Sequence, residues 1–145
     1  MQLNEELLSV WLKLSTTVNN ERVVSDIPFN ESLICNILYR NQQEHPDRKL
    51  TATDLCQATR MLKSQMNRTL NSMEEKGFIT RERSTEDKRL VYVTLDLKQT
   101  ELYVKQHAKI LKVLDAIIDK MGEDKVAQTI ELLTQITEIA ADILD

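Results

Sequence analysis

The spacing of apolar residues changes within one stretch, residues 51–95, from the period of a helix to the period of a strand. Before Gly77, apolar residues recur at intervals of three and four, which is typical of one buried helix face. They are Leu62, Met66, Leu70 and Met73. After Gly77, apolar and polar residues alternate over Ile79–Arg83 and Val91–Leu95, which predicts two strands. Gly77 itself should end a helix over about residues 62–76, because glycine adopts the left-handed C-cap without steric cost.

The start of the stretch carries the signals of a second, shorter helix. Thr51 is a favourable N-cap, and Asp54 lies where the third helical residue can bond back to it, as in a capping box. Leu50 and Leu55 occupy the flanking positions of a hydrophobic staple. A turn without Gly or Pro at residues 59–61 then leads into the longer helix. Two helices joined in this way form a helix-turn-helix pattern.

The longer helix carries polar residues outside its apolar stripe, and several of them can hydrogen-bond base edges. Arginine suits guanine, asparagine and glutamine suit adenine, and serine suits either. The residues are Lys63, Ser64, Gln65, Asn67, Arg68 and Asn71. A plain solvent-exposed face is the alternative, but this face is rich in donors and lacks the Glu/Lys pairing of a solubilising helix. We therefore expect it to contact DNA, with Glu74 and Glu75 pointing away.

Residues 84–89 join the two strands and place two cations, Lys88 and Arg89, at the tip of the hairpin. Arg83, in the first strand, is a further candidate DNA contact. A two-stranded hairpin is marginal alone and must pack on the helices. The hairpin is therefore interpreted as a charged wing attached to the helix-turn-helix.

Residues 70–95 closely resemble the winged-helix signature of MarR-type transcriptional regulators; they read LNSMEEKGFITRERSTEDKRLVYVTL. The shared features are the apolar-Glu-x-Lys-Gly helix end, the strand after it, the Asp-x-Arg wing and the closing Val-x-Leu-like strand. The resemblance implies that Arg89 enters the minor groove and that Asp87 orients it. An arginine suits a narrow, electronegative groove. The alternative is an Asp–Arg pair that only shapes the turn, and both roles are compatible.

Two helices are predicted ahead of this module. The first covers residues 3–20, and the second begins at Asn30, which can cap it. Its buried face should hold Leu33, Ile34, Ile37 and Leu38. Pro46 should end the second helix, because the residue before a proline disfavours the helical region. A minimal strand is expected at residues 48–50.

Two long helices are predicted after it. Asp96 can cap a helix over residues 97–121, Gly122 ends that helix, and the last helix covers about residues 123–144. The expected fold is mainly α with a small β-hairpin wing, in a single MarR-like domain over residues 1–145. A winged helix-turn-helix lobe (30–95) is flanked by N- and C-terminal dimerisation helices (1–22 and 97–145).

The terminal helices have wide apolar faces and little of their own chain to cover them. They could fold back on the winged lobe, or they could pair with the same helices of a second chain, as the resemblance implies. Helix-turn-helix proteins often dimerise to present two recognition helices about one DNA turn apart, roughly 34 Å. The candidate dimer contacts are Leu7, Trp11, Leu133, Ile136 and Ile143.

The charge of the chain is unevenly distributed. The 145 residues carry a net charge of −4. Between Arg60 and Tyr92, however, eight Lys or Arg face five Asp or Glu, a net of +3, which leaves −7 for the remainder. Charge alone would fit an ordinary solvated surface. A basic module on an acidic body, combined with the wing and the helix spacing, favours DNA.

Composition favours a cytoplasmic protein without catalytic chemistry. No run of eighteen apolar residues predicts a membrane span, the N-terminus lacks the pattern of a signal peptide, and two isolated cysteines suit a reducing compartment. Cys35 and Cys56 are expected to be buried thiols, and His45 and His107 surface or packing residues. Neither a Gly-rich loop nor metal-ligand spacing is present, so we expect no enzyme activity, cofactor or metal.

The sequence thus predicts a homodimeric regulator, a repressor that binds a pseudo-palindromic duplex and is released by a small effector. The alternative is a winged-helix module that binds proteins and not DNA. A small aromatic or amphipathic effector could bind where the first, second and fifth helices meet. Its candidate contacts are Trp11, Val18, Ile37, Tyr39 and Tyr103, although an ordinary filled core at this junction is an equally good interpretation.

Overall fold

A computed structural model describes residues 2–18, 27–96, 98 and 101–145 of the chain. These residues form six helices and one antiparallel sheet of three short strands, in the strand order β1-β3-β2. The helices are α1 (Leu3–Val18), α2 (Phe29–Glu44), α3 (Ala52–Thr59), α4 (Lys63–Glu75), α5 (Glu101–Met121) and α6 (Glu123–Leu144). The strands are β1 (Leu50–Thr51), β2 (Ile79–Arg83) and β3 (Val91–Leu95). The mainly α fold with a small wing, predicted from the sequence, is confirmed.

The chain divides into two compact units, Met1–His107 and Ala108–Asp145. The first unit holds α1 to α4, the sheet and the start of α5. The second holds the rest of α5 and all of α6. Gly122 separates α5 from α6, as predicted, with a φ of 91° that favours glycine. Of predicted helix 1, residues 19 and 20 lie outside the described residues, as do residues 97, 99 and 100 of predicted helix 5. The predicted start of helix 5 is wrong at Lys98, which lies in a turn, and α5 is observed from Glu101.

The core of the first unit lies under the helix-turn-helix. Met66, Leu70 and Met73 are fully buried on one side of α4, together with side chains of α2, α3 and the sheet. The prediction that Leu62 is a fourth member of this buried stripe is wrong. Leu62 is the N-cap residue of α4, with extended backbone, and its side chain is 73% exposed. It precedes the first helical turn, so the helical period no longer determines where its side chain points.

The capping box at the start of α3 is confirmed. The Thr51 Oγ1 atom accepts from the Asp54 backbone N–H at 3.1 Å, and the Thr51 N–H donates to Asp54 Oδ2 at 2.9 Å. Leu50 and Leu55, the predicted staple, are both buried in the core. The helix ends at Arg60, which takes the left-handed conformation with a φ of 60°. A turn made without glycine was expected, but the left-handed arginine was not.

The start of α2 differs from the prediction. Its N-cap is Pro28, not Asn30, and no side chain caps it. Proline's fixed φ of about −65° suits the entry to a helix, and the helix therefore begins at Phe29, before Asn30 can act as a cap. The predicted end is confirmed, with His45 as the C-cap directly before Pro46.

Gly77 ends α4 in a paired arrangement of backbone hydrogen bonds. The Gly77 N–H donates to the Glu74 carbonyl at 3.0 Å, and the Phe78 N–H donates to the Met73 carbonyl at 2.9 Å. This is a Schellman motif, and the φ of Gly77 is 80°. Phe78 and Met73, the two residues that such a motif brings together, are both buried.

Replacing Gly77 with alanine should lower the free energy of unfolding by about 1–2 kcal/mol, because a Cβ atom disfavours the left-handed conformation by that amount. Urea denaturation measures the difference. Glu75→Ala is the matched control: it lies in the same helix turn with an exposed side chain, and should change stability by less than about 0.5 kcal/mol. Equal losses in the two variants would contradict a special role for the backbone at Gly77.

Two helices expose apolar side chains along their whole length. Neither α1 nor α6 has a buried residue in the single chain. Both apolar faces are therefore uncovered. None of the described helices is long and apolar enough to cross a membrane.

Candidate nucleic-acid interface

The α4 helix separates a buried side from a polar, exposed side. Met66, Leu70 and Met73 anchor it, and α3 packs beside it in the helix-turn-helix arrangement. Of the six predicted DNA contacts on α4, only Gln65 is partly buried. The exposed ones are Lys63, Ser64, Asn67, Arg68 and Asn71. The structure therefore places these side chains together on the surface of one helix.

The far end of this surface carries a polar network that joins α4 to β2. The Arg81 guanidinium donates to Glu74 Oε1 at 3.1 Å and to the side-chain oxygen of Asn71. The Arg81 backbone N–H also donates to Glu74 Oε2 at 3.2 Å. These hydrogen bonds from Arg81 hold the pKa of the Glu74 carboxyl below its usual value. Neither Arg81 nor its pairing with Glu74 was predicted from the sequence.

A groove of about 400 Å³ runs between α4 and the wing. Asn67 and Glu74 line it from the helix, and Arg81, Arg83 and Val91 line it from the strands. Glu74 and Arg81 therefore share one concave surface with two predicted DNA contacts, Asn67 and Arg83. The prediction that Glu74 points away from these contacts is wrong.

The wing tip is organised by Asp87. Arg89 Nε and Nη2 donate to the two Asp87 carboxylate oxygens at 3.1 and 3.2 Å, and the Arg89 backbone N–H adds a third bond. These bonds hold the pKa of the Asp87 carboxyl below its usual value. Although Arg89 is paired, its side chain is 90% exposed. The guanidinium is thus held in one orientation while facing solvent.

The base of the wing is held by two further cations. Arg83 donates to the Lys88 carbonyl across the hairpin, so this predicted DNA contact also closes the turn. Lys49 places its Nζ atom 5.4 Å from the centre of the Tyr92 ring, a cation–π distance. Sequence reasoning missed Lys49, because the contact depends on β1 pairing with β3, Thr51 opposite Tyr92.

A partly buried ion pair joins α2 to the end of α4. The Lys76 Nζ atom lies 2.9 and 3.0 Å from the two carboxylate oxygens of Glu31. The Glu31 side chain is only 6% exposed, whereas that of Lys76 is 44% exposed, so the pair is partly open to solvent. The pair joins the first turn of α2 to the C-cap of the candidate recognition helix.

The predicted effector contacts are placed in three different surroundings. Tyr39 and Tyr103 lie together, with ring centres 6.1 Å apart, and burial raises the pKa of Tyr103 to about 12. Trp11 and Val18 are exposed on α1. Ile37 lines a surface groove between α2 and α3 that neither tyrosine lines.

An aromatic and polar cluster joins α2 to the start of α5. The His107 ring lies 5.9 and 5.6 Å from the rings of Tyr39 and Tyr103. The Tyr103 hydroxyl donates to Asn36 at 3.2 Å, and Gln106 bonds to Ser32 at 3.4 Å. His107 is therefore a packing residue, one of the two alternatives expected for it.

The cysteines do not form a redox or metal centre within the described residues. Cys35 is buried in α2, and this burial raises the pKa of its thiol to about 12, so the thiolate is scarce at neutral pH. Cys56 is only partly buried, so its predicted burial is incomplete. No group of three or more potential ligands is arranged to hold a metal among the described residues.

Residues 25–90 match the family model of the MarR family. An uncharacterized HTH-type transcriptional regulator of Staphylococcus aureus (strain Mu50 / ATCC 700699) is 36% identical over 74 residues, which are 50% of this chain and 51% of that protein. The chain thus spans about half the length of the curated relatives it matches.

Solved structures share the fold over nearly the whole chain. The S. aureus MepR–DNA complex matches with a TM-score of 0.73 at 16% identity, covering 97% of this chain and 99% of that one. NadR in complex with 4-hydroxyphenylacetate matches with a TM-score of 0.72 at 22% identity, covering 96% and 94%. At such identities the likeness concerns the fold. Residues 25–90 are therefore similar to the MarR family, and the chain as a whole shares the winged-helix fold of these solved structures.

Proposed function

We propose that this protein is a transcriptional regulator that binds double-stranded DNA in a sequence-specific manner. The observation that carries the proposal is the exposed, donor-rich face of α4, which is anchored from behind by three fully buried residues. Beside it, the wing presents Arg89, oriented by Asp87. The fold it shares with MepR, which has been solved in a DNA complex, supports the same assignment.

A fluorescence titration with random duplex DNA at low and moderate salt tests this proposal. Contacts to phosphate release counterions, so the affinity should fall steeply as salt rises. Absence of binding at both salt concentrations would favour the second interpretation, a winged-helix module that binds proteins.

Gln65 and Arg68 are proposed to read bases from α4. Their alanine variants should each relax the preference at one operator position, at a cost of about 1–3 kcal/mol there. The operator would first be selected from random fragments with the purified protein, and the variants then compared on single-base changes of it. If a variant loses affinity equally on every sequence, its residue contacts phosphate only and does not read bases.

The proposed active form is a homodimer on a pseudo-palindromic operator. The uncovered apolar side chains of α1 and α6 support it, including Leu7 and Trp11 on the first helix and Leu133, Ile136 and Ile143 on the second. Two recognition helices related by a twofold axis would read half-sites about one turn of DNA apart.

We also propose that the protein acts in the cytoplasm as a repressor. A small aromatic or amphipathic effector would release it from DNA. NadR, which shares the fold, has been solved with 4-hydroxyphenylacetate. An effector that couples to DNA by about 1–3 kcal/mol would weaken operator binding roughly 5- to 150-fold, and operator DNA would weaken effector binding equally. Both affinities can be measured with a panel of phenolic compounds. A compound that binds without changing operator affinity is not an effector.

A further inference from the structure

The hydrogen bonds of Arg81 set it apart from the other cations of the candidate interface. Arg89 is 90% exposed, whereas the Arg81 side chain is 24% exposed and lies between Glu74 and Asn71. Three separate bonds join Arg81 to the Glu74 carboxylate, from its backbone N–H, Nε and Nη2, at 3.2, 3.4 and 3.1 Å. The positive charge of Arg81 is therefore neutralised by the Glu74 carboxylate.

The same guanidinium fixes the orientation of Asn71. Arginine carries only donors, so the oxygen of the Asn71 carboxamide faces Arg81, and its NH₂ group is left to donate elsewhere. An asparagine that reads adenine uses both its oxygen and its NH₂ group. In this arrangement the Asn71 NH₂ group can donate to an acceptor on DNA, such as guanine O6 or N7, thymine O4 or a phosphate oxygen.

Glu74 brings a carboxylate into the groove between α4 and the wing. Near DNA a carboxylate is repelled by phosphate, so an unpaired carboxylate in this groove would weaken DNA binding. Here it neutralises an arginine that lines the same groove.

Resting on the proposed function, we propose that Glu74 and Arg81 form a specificity device: Glu74 keeps the Arg81 guanidinium off the phosphate backbone and positions it to orient Asn71. Phosphate contacts strengthen binding to all sequences alike, whereas base contacts discriminate between them. Glu74 therefore lowers non-specific affinity and sharpens base selection, and it acts as a positioning residue.

The decisive variant is Glu74→Ala, with Glu75→Ala as the matched control. Both remove one carboxylate from adjacent exposed positions of α4, but only Glu74 bonds to Arg81. Released from its partner, Arg81 should reach a phosphate. Random duplex should then bind severalfold more tightly, and the slope of log affinity against log salt should steepen by about 0.9 for each recognition helix engaged. The ratio between a selected operator and random DNA should fall.

A double variant tests whether the effect of Glu74→Ala depends on Arg81. In an Arg81→Ala background, Glu74→Ala should no longer steepen the salt slope, because the released cation is absent. Circular dichroism checks that each variant is folded, and Glu74→Gln, which keeps the shape without the charge, should shift affinity in the same direction.

These measurements distinguish a failure of the Glu74–Arg81 proposal from a failure of the proposed DNA-binding function. If wild-type protein binds duplex DNA but Glu74→Ala and Glu75→Ala have equal salt slopes, or Glu74→Ala still steepens the salt slope in the Arg81→Ala background, the specificity device is overturned. If wild-type protein does not bind duplex DNA at low salt, the proposed function itself fails.

Discussion

Replacing Arg89 with alanine is expected to weaken duplex binding by about 1–3 kcal/mol, or roughly 5- to 150-fold, with the free energy of unfolding changed by less than about 0.5 kcal/mol. The side chain is 90% exposed, so little packing is lost. Its orientation, however, is already fixed by two bonds to Asp87, so little conformational entropy remains to be lost when it enters a groove.

Arg89→Lys distinguishes geometry from charge. Lysine keeps the charge but not the planar fork that makes two parallel bonds to Asp87, so most of the affinity should still be lost. Fluorescence titration at fixed salt measures both variants. A dissociation constant unchanged in Arg89→Ala would remove the wing from the DNA-binding surface.

The pH dependence of this pair follows from the lowered pKa of Asp87. Its usual value is 3.8, and the bonds from Arg89 lower it in the folded chain. The pairing is therefore fully present above that value and is lost only as pH falls through the lowered pKa. Between pH 6 and 8, titration of Asp87 should not alter DNA affinity.

Ile136→Glu is expected to convert the proposed dimer to monomer or to unfolded chain. Ile136 is 47% exposed in the single chain, and Leu133 on the same helix is 49% exposed. If a second copy covers this face, the new carboxylate would be buried without a partner, at a cost of several kcal/mol. A twofold interface repeats each substitution, so the cost is incurred twice.

Gln135→Glu is the matched control. It adds the same charge one residue away, on the side of α6 that holds Glu131 and Glu138, and should leave the oligomeric state unchanged. Sedimentation velocity with circular dichroism measures both variants at micromolar concentration. A wild-type monomer under these conditions would end the dimer proposal.

Elements whose boundaries depend on neighbouring residues could be predicted from the sequence. The capping box of Thr51 and the left-handed Gly77 involve partners within five residues, and both are observed. The errors arise where local rules compete. Pro28 begins α2 before Asn30 can cap it. Leu62 fits the apolar spacing of α4, but it precedes the first helical residue, so the spacing does not place its side chain in the core.

The contacts that the sequence did not predict join residues that are distant in sequence or lie on different elements. Glu31 and Lys76 are 45 residues apart, and nothing local distinguishes a buried glutamate from an exposed one. The pairing of Glu74 with Arg81 had a partial signal, because Asn71 and Glu74 are three residues apart and lie on one side of the helix. Which cation would meet them depends on how β2 packs against α4.

The partly buried Glu31–Lys76 pair limits how the DNA specificity of this protein can be re-engineered. A library that exchanges α4 can vary Lys63, Ser64, Asn67 and Arg68 freely, since all four are exposed. A transplanted helix that lacks Lys76 would instead leave the buried Glu31 side chain without its ion-pair partner, which destabilises the fold. Such libraries would be depleted of folded members for a reason unrelated to DNA, unless position 31 is varied together with position 76.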